Sequence, residues 1–240
     1  MSGHSKWAGI KHKKALVDAK RSNAFTKLAN DITVAARHGG GNPAFNPTLR
    51  TAIEGARKLN MPKDNIDRAI KRGTGELGGA VVEELLYEGF GPGNVAILVE
   101  ALTDNRNRTG PDVRNIFNKN GGRIAEGGGV AYQFAQQGVI RVTVPSAEVE
   151  RLEEVVIEGG GEDYRVGEGH ASIFTGSLEL HPLKEALEAA GFSVDSAAME
   201  YVANAPINLD DEETLEKLAH LIETLEEYDD VTHIYTNLSE

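Results

Sequence analysis

The sequence predicts an α+β protein: an N-terminal three-helix domain followed by two α/β domains with ferredoxin-like units, the last inserted in the middle one. Three observations predict it. Apolar residues recur at three- and four-residue steps up to about residue 72, then at steps of two or in continuous runs beyond residue 80. Residues 134–204 read as strand, helix, strand, strand, helix, strand, the order of a split βαβ fold. A last helix and strand, within 210–235, cannot bury themselves alone and must complete the half-unit begun at residues 81–133.

The first 21 residues hold Lys6, Lys11, Lys13, Lys14, Lys20 and Arg21 against Asp18 alone, with few large apolar groups, and are expected to form a mobile basic arm. Phe25, Leu28, Ala29, Ile32, Ala35 and Ala36 then mark an amphipathic helix that Gly39-Gly40-Gly41 stops. Asn46-Pro47 is a cap and first-turn proline for a second helix, with Leu49, Ile53, Ala56 and Leu59 on its buried stripe. A third, from about Pro62 to Arg72, turns Ile66, Ala69 and Ile70 inward and leaves Lys63, Arg68, Lys71 and Arg72 outside. Residues 73–78 spell GxGxxG, but behind a helix rather than a strand, so they read as an interdomain linker and not a dinucleotide site.

Beyond the linker, Glu83–Glu88 and Val95–Leu102 read as strands joined through a glycine-rich turn. Thr109 is placed to cap a helix, with Asp112 closing a capping box and Val113, Ile116 and Phe117 facing inward. The 134–204 unit has expected strands at 139–144, 164–166, 171–175 and 193–201 and helices at 147–157 and 183–190. The closing helix spans Asp210–Glu227 and the closing strand Val231–Tyr235. The expected division is therefore arm (1–21), helical domain and linker (22–79), discontinuous α/β domain (80–133 plus 205–240) and inserted domain (134–204).

Charge divides along the same line. Residues 1–79 carry 15 Lys and Arg against 6 Asp and Glu, residues 80–240 carry 10 against 31, and the net charge is −12. Screening confines each surface to its neighbourhood of about 8 Å in physiological salt, so the basic end acts independently of the acidic remainder. That asymmetry is expected of a protein that offers one cationic face to a polyanion and keeps the rest soluble. The absence of cysteine excludes disulfides, thiolate zinc sites and cysteine nucleophiles and fits a reducing cytoplasm. There is no signal-length apolar start and no apolar run of about 18 residues, so no membrane partner is expected.

Convergent chemistry is sparse. The seven histidines are scattered, and HExxH, GxSxG and P-loop patterns are absent. Asp210–Glu213 reads as a solvated helix start rather than an acid/base or metal cluster. No cofactor, metal or small-molecule substrate is expected. Nucleic-acid binding has a positive case: lysines of the arm neutralise phosphates, and Trp7, the single tryptophan, either stacks on an unpaired base or anchors the arm. His4 and His12 either join the phosphate contacts or stay solvated. Asp104-Asn105-Arg106-Asn107-Arg108 places two arginines in the approach to a helix, where they either grip phosphate or pair with interface carboxylates. The candidate contact set is Lys6, Trp7, Lys11, His12, Lys13, Lys14, Lys20, Arg21, Lys63, Lys71, Arg72, Arg106 and Arg108.

The segments 3–7, 10–15, 60–66, 69–73, 87–93 and 101–109 closely resemble the YebC/PmpR family, whose eukaryotic relatives include the mitochondrial translational activator of cytochrome c oxidase I. Gly110-Pro111 departs from the helix formers expected after the arginines. The resemblance implies three domains about a cleft and a non-enzymatic regulatory role, as a DNA-binding transcriptional regulator or a ribosome-associated translation factor. The two differ in how they would use the chain. A DNA reader would insert the third helix as a recognition helix after the Asn60–Lys63 turn; a translation factor would hold structured RNA with its arm and arginines. An enzyme acting in the cleft is the alternative from another class.

Overall fold

The computed structural model describes residues 18–78 and 82–239, with the backbone alone for residues 18–23. Three helices come first: α1 (Asp18–Gly39), α2 (Pro47–Lys58) and α3 (Lys63–Gly73). They close a core of their own in which Ile32 and Ala36 of α1, Leu49 and Ile53 of α2 and Ile66 and Ala69 of α3 are buried. Asn46 caps α2 by accepting the Leu49 amide at 3.0 Å, while its own side-chain amide donates to the carbonyls of Ala35 and Gly40, so one asparagine ends α1 and starts α2. Asn60, in the left-handed region at φ 60°, turns the chain from α2 into α3. Gly73 ends α3 against α1, where a Cβ would collide with the Thr33 carbonyl and the Ala36 methyl. The first glycine of the GxGxxG stretch is thus a helix-packing position.

The middle sheet has order β3-β1-β2-β8 and is antiparallel throughout, from β1 (Glu83–Phe90), β2 (Ala96–Thr103), β3 (Arg123–Ile124) and β8 (Val231–Thr236). Helices α4 (Arg106–Lys119) and α7 (Glu212–Glu226) cover one face, with Val113, Phe117, Leu218 and Leu221 on Ile97 and Val99. On the opposite face Ala96 and Leu98 pack with Tyr235 and, from the inserted unit, Phe134, Tyr201 and Ala203. Both faces of β2 are covered, which is why its apolar run is continuous rather than alternating.

The inserted unit runs β4 (Phe134–Thr143), α5 (Val149–Glu158), β5 (Gly161–Val166), β6 (His170–Thr175), α6 (Leu180–Ala189), β7 (Ser193–Ala203). Its sheet order, β5-β6-β4-β7, is that of a ferredoxin-like fold, with both helices packed on one face through Leu152, Val156, Leu183 and Leu187.

Four expectations need correction. Leu59, expected on the buried stripe of the second helix, follows the last residue of α2 and is half-exposed. Lys20 and Arg21, expected in the arm, lie on the helical backbone of α1; lysine and arginine are good helix formers. β4 starts at Phe134 rather than Val139, because ten register pairs with β7 hold its polar Gln136-Gln137-Gly138 stretch in the sheet. α4 starts at Arg106, not Thr109, and Pro111 lies inside it.

Candidate nucleic-acid interface

The exposed surface of α3 follows directly from its periodicity. Ile66 and Ala69 are buried against α1 and α2, which forces Lys63, Arg68, Lys71 and Arg72 outward, and all four are exposed. None of them makes an ion pair with a carboxylate of the described residues, Asp64 and Asp67 of the same helix included.

The arginines of α4 are placed differently. Asn105 is the cap, its side chain accepting the Arg108 amide at 3.2 Å, so Arg106 and Arg108 occupy the first helical turn. Thr109 is fully buried there: its hydroxyl donates to Asp230 Oδ2 at 2.6 Å and lies 2.9 Å from the Thr103 hydroxyl. Asp230 Oδ2 also accepts from Thr103 at 3.1 Å and from the Arg108 guanidinium at 2.8 Å. Burial raises the Asp230 carboxyl, but the bonds from Thr109, Arg108 and Thr103 outweigh it and hold the group below the usual carboxylate range. The Asp230 bonds to Arg108 and Thr109 tie the start of α4 to the residue that precedes β8. Arg106 lies 3.7 Å from Glu83 and keeps two thirds of its side chain in solvent.

Between the helical domain and the two sheets lies a cleft of about 730 Å³. A bulge where β8 pairs with β2 puts Val231 on the helix-covered face and turns His233 and Tyr235 toward the cleft, with His233 directly opposite Glu100. His233 Nδ1 is 3.4 Å from Glu100 and Nε2 is 3.6 Å from Asp31 of α1, so the imidazole bridges two domains. Burial lowers its basicity, but the Glu100 hydrogen bond and the charges of Asp31, Glu100 and Glu200 prevail and raise it above the ordinary value. Burial also raises the Asp31 carboxyl, an effect His233 only partly counters. Tyr235 donates to Glu100 at 3.0 Å, and Arg141 pairs with Glu200. At the other wall α2 meets the inserted unit: Lys184, buried, binds Glu54 at 2.7 Å; Arg50 binds Glu185 at 3.2 Å; and Lys58 donates to the Val194 carbonyl at 2.7 Å.

A model of the TACO1/YebC protein N-terminal domain matches residues 5–76, and one of the TACO1/YebC second and third domain matches residues 82–238. The chain belongs to the TACO1/YebC family. It is 50% identical over 238 residues to proteins of Persephonella marina and Treponema denticola, covering 99% of this chain and 95% and 96% of theirs. A protein of Aquifex aeolicus is 49% identical over 237 residues, covering 99% of this chain and 95% of that one, and all three carry the name "Probable transcriptional regulatory protein". The crystal structure of a conserved hypothetical protein from Aquifex aeolicus matches with a TM-score of 0.87 at 48% identity, over 96% of this chain and 95% of that one.

Of the contact residues expected from sequence, this TACO1/YebC chain brings Lys63, Lys71 and Arg72 together on α3, adds Arg68, and sets Arg106 and Arg108 apart on α4. Lys6, Trp7, Lys11, His12, Lys13 and Lys14 lie outside the described residues, and Lys20 and Arg21 are described as helical backbone only. The cleft residues Asp31, Glu100, His233 and Tyr235 escaped sequence reasoning. Their visible signal was charge, Glu100 and His233 being the ionisable carboxylate and imidazole within β2 and β8. Among the described residues no group of His, Asp or Glu is placed to hold a metal ion, and no helix is long and apolar enough to cross a membrane.

Proposed function

We propose that the protein is a cytoplasmic, non-enzymatic regulator of gene expression that grips the phosphate backbone of a nucleic acid with the outer surface of α3 and the basic segment preceding α1. One observation carries the reading. Arg108 is committed to Asp230, Arg141 to Glu200, Lys184 to Glu54 and Lys217 to Glu213, whereas the four cations of α3 are gathered on one short helix, exposed and without a carboxylate partner among the described residues. Uncommitted cations release counterions when they meet phosphate and lose no existing partner. The relatives' name, probable transcriptional regulatory protein, supports a regulatory role.

In this reading the chain divides into a basic arm at its start, the helical domain with its linker to residue 79, a discontinuous domain of 80–133 plus 205–240, and the insert of 134–204. The pairing of β8 with β2 across the insert supports that division. Arg108 leaves the contact set because Asp230 holds it, and Arg106 stays in it. Enzymatic chemistry finds little support in the cleft, whose charged groups are turned on one another.

The test is crosslinking and sequencing of DNA and RNA together in cells that carry either the wild type or Lys71→Ala with Arg72→Ala. Loss of crosslinks in the variant, with the fold intact by circular dichroism, is the expected result. The recovered strands then name duplex DNA or ribosomal RNA as the target. Equal crosslinking of both proteins would sink the assignment of α3.

A further inference from the structure

The helical domain is joined to the inserted unit without apolar glue. Its core cluster contains residues of that domain only, and the cluster of the inserted unit contains residues of that unit only. Four hydrogen bonds join α2 to the insert: Arg50 Nη2 to Glu185 Oε1 at 3.2 Å, Lys58 Nζ to the Val194 carbonyl at 2.7 Å, Thr48 to His181 at 3.2 Å, and Lys184 Nζ to Glu54 at 2.7 Å. The Arg50 and Glu185 side chains are 40% and 65% exposed, and an ion pair so placed adds little stability and fades with salt. An exposed pair of this kind opens and closes readily.

What they cover is the inner side of the domain that carries α3. α2 presents Arg50 and Lys58 to the insert, exposes Arg57 to solvent, and runs through a four-residue turn into α3. A carboxylate on a guanidinium occupies the place a phosphate would take, since arginine offers both anions the same fork of donors. A backbone carbonyl on a lysine ammonium is likewise an acceptor that a phosphate oxygen replaces.

We propose that the α2 surface bearing Arg50 and Lys58 is a second binding surface for nucleic-acid phosphate, covered by the inserted unit with Glu185 standing in for phosphate, so that binding and opening of the cleft are one coupled event. The proposal rests on the nucleic-acid reading above and adds its regulation. Affinity is then reduced by the fraction of molecules that are closed, and weakening the clasp raises affinity without any new contact. By reciprocity, bound nucleic acid opens the clasp. Loss of one exposed ion pair corresponds to a gain in affinity of up to about fivefold.

The experiment uses the full chain and fluorescence anisotropy with two probes, a labelled duplex DNA and a labelled RNA hairpin, at low and moderate salt. The variants are Glu185→Ala, Arg50→Ala, their combination, Lys71→Ala with Arg72→Ala, and Glu150→Ala, which removes an exposed charge of the same unit away from α2. Small-angle scattering of the proteins with and without probe reports opening. The expected results are tighter binding by Glu185→Ala than by Glu150→Ala, disappearance of that gain when Arg50→Ala is added, and a larger radius of gyration of the protein on binding. A gain on both probes assigns the effect to phosphate in general, and a gain on one names the strand that fits the opened surface. Equal affinities of Glu185→Ala and Glu150→Ala, or a gain that survives Arg50→Ala, would overturn this proposal. If Lys71→Ala with Arg72→Ala still weakens binding in that case, the assignment of α3 stands. Failure of the wild type to bind either probe overturns both.

Discussion

Three backbone amides converge on the carboxylate of Glu88, and replacing it with glutamine is expected to loosen the passage from the middle sheet into the inserted unit. Its side chain is 9% exposed and accepts three backbone amides: Gly128 on one oxygen at 2.6 Å, Val130 and Ala131 on the other at 2.7 Å each. Glutamine keeps the shape but has one acceptor oxygen. Placed on Val130 and Ala131, that oxygen leaves the amide group facing the Gly128 N–H, donor against donor. A hydrogen bond to a charged group contributes about 1.5–3 kcal/mol and a stranded buried donor costs about 1–3 kcal/mol, so Glu88→Gln should cost roughly 3 kcal/mol. For a chain of this size that lowers the melting temperature by about 6–12 °C. Burial raises the Glu88 carboxyl, but the three amides outweigh it and hold the group below its ordinary value. Its stabilising effect is therefore complete above the unfolded-state value near 4.3 and is lost as pH falls through the lower folded value, so the gap between wild type and variant narrows in acid. Hydrogen exchange followed by mass spectrometry, with thermal melts across pH, is the assay. Wild-type exchange at residues 128–131 together with an unchanged melting temperature would refute the reasoning.

Two further outcomes follow from the same kind of geometry. Asp230→Ala removes the acceptor of Thr103, Thr109 and Arg108 and should cost about 2–3 kcal/mol, with faster amide exchange over the first turn of α4; a neutral result in chemical denaturation would mean that these hydroxyls find other acceptors. His233 is held above its ordinary value, so the stability it contributes is full below about pH 6.5 and is lost as pH rises through the folded value. In His233→Gln the fall in wild-type stability above neutral pH should disappear, and parallel stability curves for the two proteins would refute the bridge from Asp31 to Glu100.

The character of the elements and of the basic end was legible in the order of residues. Apolar steps of three and four around Ile53, Ile66 and Ala69 are a local signal, set by the 3.6-residue helical turn, and they carry with them the outward direction of Lys63, Lys71 and Arg72. The βαββαβ order and the orphaned last helix and strand led in the same way to the inserted ferredoxin-like unit, because two elements alone cannot bury an apolar face. Tertiary structure alone decided the partners. Arg108 and Asp230 are 122 positions apart, and nothing local distinguishes an arginine that reaches phosphate from one already bound to a carboxylate. Thr109 has the chemistry of a helix cap, yet Asn105 performs that task because the half-buried Asp230 draws the threonine hydroxyl inward. Asp31, Glu100 and His233, or Arg50 and Glu185, meet only when separate units dock. Periodicity records which way a side chain points from its own element, whereas the charge it meets there depends on chain brought in from far away, and no period in the sequence carries that information.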